Sequence, residues 1–296
     1  MKVLNFGSLN LDYVYDVDHF VREGETISST DMNIFCGGKG LNQSVALAKA
    51  GAKVYHAGAI GSADGKMLLE ALDSAGVNTS YIKKHDMASG HAIIQKNKSG
   101  NNCILLYGGA NQNIEKEFIK EVLNDFDSGD ILLLQNEISN LAFIIDEGYK
   151  KGMSIVLNPS PINEKIFECD LKKVEYLILN EIEAADILGA SGTDEDELIE
   201  KLTKKFPNTR IVLTLGENGS VYVDKTQKIR QDIYKADVVD TTAAGDTFTG
   251  YFIAGVSSGL DLRQALKQAA MASSIAVGRK GASPSIPFLE EVREKL

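Results

Sequence analysis

Several features are scarce in this chain. Its three cysteines, Cys36, Cys103 and Cys169, stand far apart among 296 residues. None belongs to a C-x-x-C pair, so neither a disulfide framework nor a cysteine zinc site is indicated. They read as buried or incidental thiols in a reducing cytosol. The four histidines are equally scattered, which argues against a histidine metal cluster. No apolar stretch approaches the roughly 18 residues of a membrane span, and the run at Val3–Phe6 is too short for a signal peptide. We therefore expect a soluble, cytoplasmic protein with no membrane partner. Positive charge is in deficit, with 31 Lys and Arg against 41 Asp and Glu and a net charge of -10. Such a surface repels a phosphate backbone and excludes nucleic acid as a partner, but a small anion can still be held by local backbone N–H groups. No G-x-x-x-x-G-K-[ST] loop occurs, and Gly7-Ser8-Leu9-Asn10 does not supply a G-x-G-x-x-G turn, so a P-loop enzyme and a nicotinamide dehydrogenase are both excluded. There is no Pro/Gly/Ser-rich linker and no internal repeat. The expectation is a single domain over residues 1–296.

What the chain does have is a composition of 44% hydrophobic and 24% charged residues, enough for a large core. Short apolar runs at Val3–Phe6, Val54–Ile60, Ile131–Leu134, Ile155–Leu157, Leu177–Leu179 and Ile211–Leu215 read as strands. Several are continuous rather than alternating, as for parallel strands covered on both faces. Amphipathic stretches at Leu41–Ala50, Lys66–Ala75, Glu115–Phe126, Asn140–Lys151 and Glu195–Lys205 lie between them. This alternation predicts an α/β fold with a doubly wound, mainly parallel sheet flanked by helices. Two regions break the pattern. Extended runs between about 12 and 36, and a hairpin-like stretch over about 90–106 with its turn at Lys98–Asn102, predict a small β layer acting as a lid.

The densest chemistry lies in Asp240-Thr241-Thr242-Ala243-Ala244-Gly245-Asp246. Small residues lead into a helix and offer N–H groups to an anion, and a carboxylate in the first turn could accept a proton from an attacking hydroxyl. By spacing alone, Asp246 reads equally as a helix cap. Gly37-Gly38-Lys39-Gly40-Leu41-Asn42-Gln43 precedes another helix and permits close backbone approach to a ligand, or forms an ordinary turn. Asn10 and Asp12 follow the first strand and carry donors and acceptors suited to hydroxyl groups, or form an Asx turn. Glu137, Asn180 with Glu183, and the loop Thr214-Leu215-Gly216-Glu217-Asn218-Gly219 stand at or beyond other strand ends.

Together these segments resemble the signatures of the PfkB, or ribokinase-like, carbohydrate kinases, in that family's order and over nearly the whole chain. The resemblance implies ATP-dependent phosphorylation of a primary sugar hydroxyl. Ribose is the favoured acceptor; deoxyribose, another small sugar or a nucleoside are the alternatives, and a non-catalytic sugar-binding paralogue is a further one. It assigns Asp246 as the base, with Ala243, Ala244 and Gly245 forming an anion hole. Asn10, Asp12, Gly38, Lys39, Gly40, Asn42, Glu137 and Asp246 would hold the sugar. Asn180, Glu183, Thr214, Leu215, Gly216, Glu217, Asn218, Gly219 and Gly245 would hold ATP, with Glu183 organising water around Mg²⁺. A monovalent cation, K⁺, would sit near Asp240, Thr242, Ala276, Arg279, Gly281 and Ser285, largely on carbonyl oxygens, so that Thr242 is expected to tolerate Val or Ile. Ala270 stands where relatives often carry a polar residue beside the adenine. The resemblance also implies a homodimer formed through the lid.

Overall fold

The computed structural model describes residues 1–192 and 194–296. Along the chain, β1 (Val3–Phe6) is followed by β2 (Asn10–Val17), β3 (Asp31–Gly37), α1 (Lys39–Lys49), β4 (Val54–Gly61), α2 (Lys66–Ser74) and β5 (Asn78–His85). Next come β6 (Gly90–Asn97), β7 (Asn102–Tyr107), α3 (Lys116–Asn124), β8 (Ile131–Gln135), α4 (Leu141–Lys150) and β9 (Ser154–Asn158). The remainder holds β10 (Tyr176–Asn180), α5 (Glu181–Leu188), α6 (Glu195–Lys205), β11 (Arg210–Thr214), β12 (Ser220–Val223), β13 (Lys228–Gln231), α7 (Ala244–Ser257), α8 (Leu262–Val277) and α9 (Leu289–Lys295).

Nine strands form one sheet in the order β13-β12-β11-β10-β9-β8-β1-β4-β5. It is parallel from β11 to β5, and β12 and β13 add an antiparallel edge. Two apolar layers cover it. α3, α4, α5 and α6 pack on one face around residues such as Ile119, Ile144 and Leu202. α1, α2, α7, α8 and α9 pack on the other around Leu41, Leu68, Phe252 and Leu266. The six apolar runs singled out in the sequence are all strands of this sheet because burial on both faces demands near-continuous hydrophobicity. The order of strands reverses at β1, which pairs with β4 on one side and β8 on the other. Such a switch point opens a crevice at the carboxyl ends of the strands.

The second sheet is separate, with the order β3-β2-β6-β7. The expected lid segments thus form one independent four-stranded layer, slightly longer at both ends than the sequence pattern suggested. The stretch from Thr26 to Thr30 contributes no strand to it. Many of its apolar side chains are exposed, among them Phe35, Ile93, Ile104, Leu105, Leu106 and Tyr107. No helix among the described residues is long and apolar enough to cross a membrane.

Candidate active site

The site forms where α1 and α7 begin, above the switch point. Gly250 of α7 packs so closely on α1 that a Cβ there would lie 2.4 Å from the Ala46 methyl carbon. That approach brings side chains of α1 onto the first turn of α7. Asn42 donates through Nδ2 to Asp246 Oδ2 at 3.0 Å, and Gln43 through Nε2 to Asp246 Oδ1 at 2.9 Å. The carboxylate is buried and held on both oxygens. Asn42 Oδ1 is buried without a partner among the described residues, leaving one acceptor at this spot for a ligand hydroxyl.

Two further carboxylates lie nearby. Glu137 accepts from the Ser8 hydroxyl and from the backbone N–H of Lys39, the latter at 2.9 Å. Burial pushes its carboxyl above the usual range, against the pull of Ser8 and Lys39. Asp12 sits on β2, opposite β3, and burial followed by repulsion from Glu137 raises it to about 7. Its carboxylate fills the space a side chain at Gly37 would need, since a Cβ there would lie 2.0 Å from Asp12 Oδ2. Asn10 is oriented by Asn111, whose Nδ2 donates to Asn10 Oδ1 at 2.8 Å while its Oδ1 accepts from Leu9 N at 3.0 Å. Lys39 is the nearby cation. Burial opposes its charge, but Asp246, Glu137 and Glu183 outweigh that and hold it above the usual lysine value.

Across Asp246 lies a cavity of about 510 Å³. Asn180, Thr214, Gly216, Glu217, Gly219 and Gly245 line it, while Glu183, Leu215 and Asn218 do not. Leu215 is instead a core residue, and Asn218 offers its carbonyl to Arg230 at 3.0 Å. Asn180 caps α5 in a reciprocal box with Glu183: Glu183 N donates to Asn180 Oδ1 at 2.8 Å, and Asn180 N to Glu183 Oε2 at 3.0 Å. The cavity's far wall is apolar, with Ile233, Ala236, Val238, Ala270 and Val277. At its inner end, the N–H groups of Ala243, Gly245 and Asp246 have no protein partner among the described residues, and that of Ala244 reaches Thr241 O at 3.2 Å. Ala243 adopts φ 60° and ψ 11°, a left-handed conformation that turns this backbone into the helix.

Beside this turn, Asp240 joins two loops. Its Oδ1 accepts from Thr242 N and Oγ1 at 2.9 and 2.6 Å, and its Oδ2 accepts from Gly281 N at 3.0 Å. The hydroxyl of Thr242 thus donates to Asp240, so the condition under which Val or Ile would be tolerated, that only its carbonyl is used, is not met. Ser285 is buried and donates to Ala282 O at 2.7 Å, and Ala276 O accepts from Arg279 N. Arg279 directs its guanidinium to Glu291, away from the loop.

Comparison with known proteins decides the family. The model of the pfkB family carbohydrate kinases matches residues 1–289. The chain belongs to that family. A ribokinase from Haemophilus influenzae is 35% identical over 300 residues, covering 98% of this chain and 96% of the relative. Among solved structures, a ribokinase from Cryptococcus neoformans var. grubii in complex with ADP aligns with a TM-score of 0.87 at 36% identity, covering 100% of this chain and 99% of the other. A ribokinase from Arabidopsis thaliana complexed with ribose and ATP aligns with a TM-score of 0.88 at 30% identity, covering 99% and 97%. A pfkB carbohydrate kinase transfers a phosphoryl group to a sugar hydroxyl, and this fold sets the polar cluster around Asp246 beside an open cavity.

The sequence reading missed several side chains that build this site. No local pattern marks Asn111 or Ser8, and Gln43 stands out only as part of the motif at 37–43. Asn111 follows a Gly108-Gly109 pair and precedes two more amide residues, a polar cluster that marks a turn but not its partner.

Proposed function

We propose that this chain is a ribose kinase that uses Asp246 as its general base. It transfers the γ-phosphoryl group of ATP to the primary hydroxyl of ribose. The supporting observation is the position of Asp246: its carboxylate is pinned by Asn42 and Gln43 in the same helical turn as the unpaired N–H groups at the end of the cavity. Proton acceptance and phosphate stabilisation then act on adjacent atoms.

In this reading Asn10, Asp12, Asn42 and Glu137, with the backbone of Gly38 and Gly40, hold the sugar. Asp246 takes the hydroxyl proton as that oxygen attacks the γ-phosphorus and the bond to the ADP oxygen breaks. The unpaired N–H groups of Ala243 and Gly245, flanking that of Ala244, which reaches Thr241 O, act together with the Lys39 ammonium on the charge that develops on the transferred group. Positioning and charge stabilisation supply most of the catalysis in such transfers. The four-stranded sheet, residues 10–37 and 90–107, acts as a lid of the single domain and excludes water.

The residues present also fit two cations. Asn180 and Glu183 offer one carboxylate and an amide, and no cluster of three or more acidic, His or Cys groups exists among the described residues. That scarcity suits Mg²⁺, which keeps most of its water. Asp240, Thr242, Ala276, Arg279, Gly281 and Ser285 offer only oxygen donors, the set a hard cation such as K⁺ takes. When bound, these ions shield the phosphates and stiffen the anion-hole backbone. The exposed apolar side chains of the lid supply a surface for a homodimer, and the free thiols suit a cytoplasmic location.

The test is phosphorylation of ribose, 2-deoxyribose, hexoses and nucleosides with ATP and Mg²⁺, in the native chain and in Asp246→Asn. Ribose should be the preferred acceptor, and the variant should lose roughly 10²–10⁴ in kcat, the usual scale for a general base, while still binding sugar. A variant of unchanged kcat would remove Asp246 from the chemistry, and a nucleoside preferred over ribose would overturn the acceptor.

A further inference from the structure

Beneath α1 the sheet carries a row of buried polar side chains where an apolar core is the norm. Asn5 on β1, His56 on β4, Gln135 on β8 and Asn158 on β9 come from four neighbouring strands, and Gln43 and Ser44 meet them from α1. Asn5, Gln43, Ser44, His56 and Gln135 are fully buried. Such groups are costly unless paired; apart from Gln135 Oε1, which has no partner among the described residues, they are paired, and in one direction only.

That direction is set by backbone carbonyls, which can only accept. Gly7 O faces His56 Nε2 at 3.2 Å, so that nitrogen carries the hydrogen and Nδ1 accepts from the Ser44 hydroxyl at 2.8 Å. Gly40 O takes Asn5 Nδ2 at 2.8 Å, and the same amide nitrogen donates to Ser44 Oγ at 2.8 Å. Asn5 Oδ1 must then accept, and it does so from Gln135 Nε2 at 3.0 Å. Gln135 Nε2 also donates to Gln43 Oε1 at 2.7 Å. A second anchor agrees: Ile178 O takes Asn158 Nδ2 at 2.9 Å, so Asn158 Oδ1 accepts from Gln43 Nε2 at 3.1 Å. Both chains force the Gln43 amide to turn its nitrogen, and not its oxygen, towards Asp246. Burial pushes His56 down to about 4, so it stays neutral and the chain of donors keeps its sense.

We propose that Gln43 is a positioning residue for Asp246, its amide direction dictated by this buried row, so that the base is presented in one orientation. The inference rests on the reading of Asp246 as the base. The other charged groups around Asp246 are Lys39 from α1 and Glu137 beyond β8, with Glu183 of α5 acting on Lys39. None of them donates to Asp246 Oδ1.

The experiment compares Gln43→Met, Gln43→Glu and Gln135→Met with the native chain and with Asp246→Asn. Readouts are kcat, both KM values, the pH dependence of kcat and the melting temperature. Gln43→Met keeps the volume and removes the donor. It should lose about 10–100-fold in kcat, the scale of a misplaced reacting group, with both KM values within about threefold. The acid limb of kcat should move to higher pH, and further in Gln43→Glu, where a second carboxyl faces Asp246. Gln135→Met removes one of the two anchors of the Gln43 amide, leaving Asn158, and should give a smaller loss of the same kind. A Gln43→Met protein with native kcat and native acid limb, or one changed only in KM, overturns the proposal while Asp246→Asn remains inactive. Should Gln43→Met fail to fold, Gln43→Glu decides, since it keeps the shape and removes the donor to Asp246: native kcat with a native acid limb there overturns it equally. An active Asp246→Asn would instead sink the base assignment itself.

Discussion

On the sugar side of the site, Asn10, Asn42, Glu137 and Asp246 are each tied to a named partner: Asn111, Asp246, Ser8 with Lys39, and Gln43. The nucleotide side is built differently. Residues 232–239 cross its mouth without helix or strand, and Ile233, Val238 and Val239 are 47%, 67% and 53% exposed. The first region is arranged before any ligand arrives, at the expense of buried charge. The second is an apolar trough walled in part by an irregular, exposed segment. Changes on the sugar side should therefore act on the use of ribose, and changes around the nucleotide on ATP affinity or on activation.

Breaking the sugar side at Asp12 should have the largest effect of this kind. Asp12→Ala should raise the KM for ribose by about 10–100-fold, the cost of a lost hydrogen bond to a charged acceptor, and leave that for ATP within about threefold. Steady-state kinetics with each substrate varied in turn checks this. Because Asp12 is raised to about 7, the native chain should show the same weakness when acidified. Ribose KM should climb as pH falls below about 7, where the carboxyl becomes protonated, while ATP KM stays flat. The sign for stability is opposite. A raised carboxyl favours the folded state at low pH and loses that advantage as pH rises through about 7. Asp12→Asn should thus melt higher than the native chain at pH 8, by on the order of 1–3 kcal/mol, with the difference vanishing near pH 4.

The nucleotide side is sharpened by K⁺. Replacing a large organic cation by K⁺ at constant ionic strength should raise kcat several-fold, and Ser285→Ala should reduce that activation without altering ribose KM. Equal rates in the two salts, at saturating and at low ATP, would remove the site. The smallest effect is expected from Ala243→Gly. Ala243 has φ 60°, which strains an L-residue by about 1–2 kcal/mol, and glycine relieves this at some cost in chain entropy. The melt should rise by about 0.5–1 kcal/mol with kcat within about twofold.

The central sheet was legible because burial on both faces writes itself as continuous apolar runs. The amphipathic helices α1, α2, α3, α4 and α6 were legible by their period, whereas some peripheral elements were not. β5, with Asn78, Lys83 and Lys84, and β13, Lys-Ile-Arg-Gln, have no such run, and α9 is mostly charged. At the candidate site, the structure brings together segments 37–43 and 240–246, and each stands out in the sequence as a long motif. Glu183 was read as a ligand, yet its geometry is first that of a capping box with Asn180, a pattern visible in the sequence as Asn-x-x-Glu before a helix. Asn111 and Gln43 act through contacts of 101 and 203 residues' separation, which no local pattern encodes.

The polar row under α1 also bears on how the chain finds its fold. Asn5 lies opposite His56 across β1 and β4, and Gln135 opposite Asn158 across β8 and β9. Sliding any of these strands by one residue would turn its polar group to the other face, among leucines and phenylalanines of the opposite layer. Every amide and the imidazole would then be buried unpaired. Uniformly greasy parallel strands have little to tell one alignment from the next. Here four polar side chains serve as index marks, so that misaligned sheets are penalised during assembly, long before any substrate is met.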